Sequence, residues 1–85
     1  MLHIPESRSL KDKRRVLRSL KDRLRQEFNL SVAEVEDNDL WQRAALGMAV
    51  VCNDVGFAQQ VLSKAVELVG RRCDVEVLQV KIEMR

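Results

Sequence analysis

Between Arg8 and Arg25 the sequence places Arg8, Lys11, Lys13, Arg14, Arg15, Arg18, Lys21, Arg23 and Arg25 against only Asp12 and Asp22. Ammonium and guanidinium groups at this density suit one kind of chemistry, charge-assisted hydrogen bonding to phosphate or carboxylate oxygens. The rest of the chain carries six basic and eleven acidic residues, so the overall charge of +2 averages over a polarised molecule. Two partners are open to such a segment. One is the phosphate backbone of a nucleic acid, bound with an affinity that falls steeply with salt. The other is the protein's own acidic residues, Glu34 and Glu36 foremost. The segment has no aromatic residue, so any nucleic-acid readout is expected to be of backbone and shape rather than of stacked bases.

Other residue types offer less. Glu34, Glu36, Asp37 and Asp39 cluster, but the spacing lacks the glycine and the closing glutamate of a calcium loop, and a solvated turn is the expectation. Cys52 and Cys73 are too few and too far apart for a zinc site or a disulfide framework; both read as reduced thiols, Cys52 in the core. His3 is the only imidazole and reads as a structural or surface histidine rather than a catalytic one. No nucleophile motif or acid–base pair is recognisable, so no enzyme activity, cofactor, metal or small-molecule substrate is expected. Gly47, Gly56 and Gly70 stand alone, without the Gly-x-x-Gly of a KH clamp, and the segments LHI and AALGMAVVC lack the aromatics of an RNA-recognition-motif sheet. Trp41 sits at a strand entry. It reads as a lid on the core or, if exposed, as an anchor for a protein or RNA contact.

The elements that must position these groups follow from periodicity. Ser9 with Asp12 three residues on has the form of a helix cap, and Leu10, Val16, Leu17, Leu20, Leu24 and Phe28 recur at helical spacing. A first helix from Leu10 to Glu27 is predicted, with Lys11, Arg14, Arg15, Arg18, Lys21 and Arg25 forming its basic outer stripe. Lys13 falls on the apolar side, and its stem is expected to snorkel past the edge of the core. Leu30 to Glu36 reads as a solvent-facing strand carrying Glu34 and Glu36 on one face. Asp37-Asn38-Asp39 reads as a turn. Ala44 to Cys52, apolar at nearly every position, reads as a central strand buried on both faces. A second helix from Val55 to Val69 turns Phe57, Ala58, Val61, Leu62, Ala65, Leu68 and Val69 inward. The last segment, from Val75 to Met84, alternates in two phases, which a bulge near Val77-Leu78 would reconcile.

With Leu2-His3-Ile4 as a first strand stopped by Pro5, the order is βαββαβ. The predicted class is therefore α+β: residues 1–85 form a single ferredoxin-like domain, a four-stranded antiparallel sheet with two helices on one face. In that topology the first and third strands are central. A first strand of three residues is truncated for its place, and a partner chain is one means of completing the sheet. No apolar run is long enough to span a bilayer and the first residues lack a secretory pattern, so a cytoplasmic location without membrane contact is expected.

The segments SRSLKDKR at 7–14, VLRSLKDRLR after it and FNLSVAEVEDNDLWQRAALGMAVVCND at 28–54 resemble the YlxP-like family of short bacterial proteins, over essentially the whole chain. That resemblance implies the ferredoxin-like fold, a cytoplasmic location and genes often lying near those of translation and ribosome-maturation factors. It implies no catalytic residues. Relatives usually begin with several more apolar residues before the counterpart of Leu2-His3-Ile4-Pro5, in keeping with the short first strand. The expected function is a small non-enzymatic binding module that docks on structured RNA, ribosomal in kind, through Lys11, Arg14, Arg15, Arg18, Lys21 and Arg25. The alternative is a protein-interaction or homo-oligomerisation module that uses the sheet face or edge, with Trp41 as a candidate contact.

Overall fold

Ser9 starts the first helix as expected: its side chain accepts from the Asp12 amide at 3.1 Å, and the Asp12 carboxylate reaches back to the Arg8 amide at 3.1 Å. The first bond meets one of the orphan donors at the helix start, and the second fixes the residue before the cap. The computed structural model describes residues 1–36 and 39–83. Its elements run β1 (Leu2–His3), α1 (Leu10–Glu27), β2 (Ser31–Glu36), β3 (Arg43–Ala49), α2 (Val55–Gly70) and β4 (Glu76–Val77). The sheet order is β2-β3-β1-β4 with antiparallel pairing throughout, so β1 and β3 are central and the α+β, ferredoxin-like class is the observed one.

The core lies between the sheet and the helices. Leu17, Leu20 and Leu24 of α1 and Ala65, Leu68 and Val69 of α2 meet Leu2, Ile4, Val32, Ala44 and Val75. Asp54 caps α2, accepting from the Phe57 amide at 3.2 Å. Arg72 ties the return after α2 to the first helix: it holds Asp74 through two nitrogens at 2.9 and 2.7 Å and donates to the Ser19 hydroxyl at 3.3 Å. No helix among the described residues is long and apolar enough to cross a membrane.

Several expectations are corrected. β3 ends at Ala49, and it is covered on one face only, because both helices lie on the same side of the sheet. Val51 is 97% exposed, and Cys52 is exposed rather than in the core, its thiol donating to the Asp54 carbonyl at 3.0 Å. Phe57 is also exposed, at 56%. It occupies the first turn of α2, beyond the reach of the sheet. The last segment is a strand only at Glu76–Val77; beyond it the Leu78 amide donates to the Met1 carbonyl at 2.9 Å and the Gln79 carbonyl accepts from the Met1 ammonium at 3.2 Å, and Val80 to Glu83 continue without a ladder. Asp37, Asn38 and Met84, to which the sequence reading gave parts of a turn and of the last strand, lie outside the described residues.

Candidate nucleic-acid interface

The start of α1 is clamped from the far side of the chain. Gln42 donates from its amide nitrogen to the carbonyls of Pro5 and Ser7, each at 3.1 Å, and its own carbonyl accepts from the Ile4 amide at 2.8 Å. Ser7 is buried and bonds the Ser9 carbonyl at 3.1 Å. The loop before the helix is thus fixed by three contacts to one residue. Gln42 has no role in the sequence reading, since an isolated glutamine beside a tryptophan carries no local signal.

Lys13 is 1% exposed, and its ammonium sits 2.6 Å from Glu34 Oε2. Both halves of this pair correct the sequence reading. Lys13 does not snorkel past the core, and Glu34 does not face solvent. The reason lies in the register of β2. Val32 pairs with Met48 and turns into the core, so Glu34, two residues on, takes the same side and points at α1. The register then slips between Glu34 and Glu36, and Glu36 is exposed. A half-buried carboxylate on the helix side of a sheet needs a cation, and Lys13 on the apolar face of α1 supplies it. Its placement among leucines was the available signal.

The outer face is different. Lys11, Arg14, Arg15 and Arg18 are exposed, and among the described residues none of them has an ion pair. Their spacing of three, four and seven puts them on one side of the helix, along about 10 Å of its axis. Lys21 is half-buried and likewise without an ion pair. Arg25 is more committed: it donates to the Val32 carbonyl at 3.0 Å and lies 3.7 Å from Asp22. Arg23 pairs with Glu27 at 2.7 Å. Compensation is therefore concentrated in the C-terminal third of α1, and the uncompensated charge lies in the first two-thirds, where the helix's own positive end adds to it.

The remaining candidates are dispersed. Trp41 is 54% exposed in the bend before β3, so it is not a lid on the core. His3 faces Glu76 at 3.2 Å on the opposite side of the sheet from the helices. Among the described residues no group of three acidic, histidine or cysteine side chains is placed to hold a metal ion.

The family model described as "Protein of unknown function (DUF503)" matches residues 1–82. The chain belongs to this family. The chain is also 30% identical over 73 residues to "Uncharacterized protein YlxP" of Bacillus subtilis (strain 168), a match that covers 86% of this chain and 79% of the relative. The YlxP-like resemblance of the three sequence segments and the family match agree. Neither name carries an activity, so the function of this DUF503 chain has to be argued from the arrangement of its side chains.

Proposed function

We propose that this chain is a non-enzymatic binding module that docks the outer face of α1 on the phosphate backbone of structured RNA. One observation carries the reading. Glu34, the strand carboxylate best placed to neutralise the helix, is taken by Lys13 on the inner side, and Lys11, Arg14, Arg15 and Arg18 keep their charge for something outside the fold. Cations held on a rigid helix and not satisfied by the protein itself are the usual footprint of backbone recognition. The choice of RNA, ribosomal in kind, draws on the YlxP-like resemblance and its association with translation genes. Lys21 and Arg25 extend the stripe at its weaker end.

Titration of labelled ribosomal RNA at about 50 and about 200 mM salt tests this, with a DNA duplex of equal length beside it. Binding is expected to weaken steeply with salt. Changing Arg14, Arg15 and Arg18 together to Gln is expected to reduce the log–log salt slope by about 2 to 3, roughly one per lost phosphate contact. Absence of binding at the lower salt, or a triple variant that binds as the parent does, would refute the proposal. Equal affinity for DNA would remove the RNA part of it.

A further inference from the structure

The chain has three aromatic side chains, Phe28, Trp41 and Phe57, and the fold separates them. Phe28 packs against the core, and Phe57 lines a cavity with Glu27 and Phe28, where α1 ends. Trp41 stands where α1 begins. Gln42, the next residue, donates to the Ser7 carbonyl at 3.1 Å, and Arg8 follows Ser7 directly. Trp41 and Arg8 are therefore each one residue, about 3.8 Å of chain, from the two ends of a single hydrogen bond. The bonds that Gln42 makes to Ile4, Pro5 and Ser7 fix the backbone next to the indole, yet the indole itself is 54% exposed. Arg8 is exposed and has no ion pair among the described residues. Lys11, the first cation of the outer stripe, is three residues further on.

We propose that Trp41 is a stacking platform for one unpaired nucleobase of the RNA whose phosphates lie along α1, an inference that rests on the docking reading above. The cations of the stripe hold phosphate but offer no face to a base. An exposed indole offers one, and it accepts any base because every base has a π-face. Arg8 beside it supplies the cation for the phosphate next to the stacked nucleotide. Glu6 and Asp39 are exposed near the same residue, so the backbone of the ligand has to reach Trp41 from the Arg8 side. Bases inside an A-form duplex are stacked on their neighbours and closed to an indole, whereas unpaired bases at loops, bulges and ends are open to it. The ligand is therefore a junction, with backbone along Lys11 to Arg18 and an unpaired nucleotide past the N-terminal end of the helix.

Trp41 is the only tryptophan and the chain has no tyrosine, so intrinsic fluorescence reports this one side chain. Three RNA duplexes of one sequence are titrated at low salt: one blunt, one with an unpaired adenosine at each 3′ end, and one with it at each 5′ end. An overhang duplex is expected to bind the parent about tenfold more tightly than the blunt one and to quench Trp41. Trp41→Leu should bind all three alike, with an unchanged log–log salt slope because the indole neutralises no phosphate, and Trp41→Phe should keep most of the preference. Equal affinity of the parent for the three duplexes, or a Trp41→Leu variant that keeps the preference, overturns the stacking proposal and leaves the docking of α1 on phosphate standing. Tighter binding of an overhang with no change in Trp41 emission overturns it too. No binding of any duplex refutes the docking reading and this inference with it.

Discussion

Lys13 and Arg14 are neighbours in sequence on the same helix, and the structure uses them in opposite ways. Lys13 points inward, is almost fully buried and is fixed at 2.6 Å to a carboxylate from β2. Arg14 points outward with Lys11, Arg15 and Arg18 and has no ion pair among the described residues. The difference is one of solvation. A buried cation must be matched inside the fold because water cannot match it, whereas an exposed cation is matched by water until a better anion arrives. A run of positive charge in a sequence is therefore not one feature, and a single helix face separates its structural members from its available ones.

The contrast is broken most severely at its inner side. Lys13→Met leaves Glu34 on the helix side of the sheet without its cation and is expected to destabilise the fold by about 3 kcal/mol in urea denaturation, the low end for a broken buried pair because Glu34 is 20% exposed. Lys13→Met with Glu34→Leu replaces the pair by packing and should recover most of that loss. A double variant as unstable as the single one would mean that Lys13 acts through something other than Glu34. Next in size is the cap that sets the phase of both faces. Ser9→Ala removes the acceptor for the Asp12 amide and is expected to cost about 1 kcal/mol, read in the same denaturation assay.

Smaller effects test the outer side and the Arg72–Asp74 ion pair. Arg14, Arg15 and Arg18 changed to Gln should leave stability within about 0.5 kcal/mol while lowering RNA affinity, and a larger loss would place these residues with Lys13. The bidentate contact with Arg72 holds the Asp74 carboxyl below its ordinary value of 3.8 and holds the Arg72 guanidinium above its own. A carboxylate lowered in the folded state adds stability that is fully present above the unfolded value and is lost as pH falls through the folded one. Acid titration of stability below about pH 4 should therefore be shallower in Asp74→Asn than in the parent. The difference is expected to be slight, since both side chains are partly exposed to solvent screening.

Helices were the legible part of this sequence. The Ser9 cap and the leucine spacing place α1 at Leu10–Glu27, as observed, and α2 differs by one residue at its end. The strands were less so, because local pattern does not say how many faces a sheet has covered. Ala44 is buried in the core as read, but Ala45, Gly47 and Ala49 alternate to the uncovered face, where their smallness lets the sheet do without a second layer, with Val35 lying across Gly47. For the candidate site, the outward stripe was visible in the helical period. The partner of Lys13 was not, because it depends on the cross-strand register that turns Glu34 inward.

The Arg25 contact has a bearing on how the molecule behaves at high concentration. β2 is an edge strand, and edge strands present free backbone groups on which other chains can grow. Arg25 donates its guanidinium to the Val32 carbonyl, and the exposed Glu36 adds a charge at the end of the same strand. Any chain stacking against this edge must first break a charge-assisted bond and bring its own charges beside these. Fibril-like extension through β2 is therefore disfavoured, and the same helix that presents cations outward also guards the sheet it packs on.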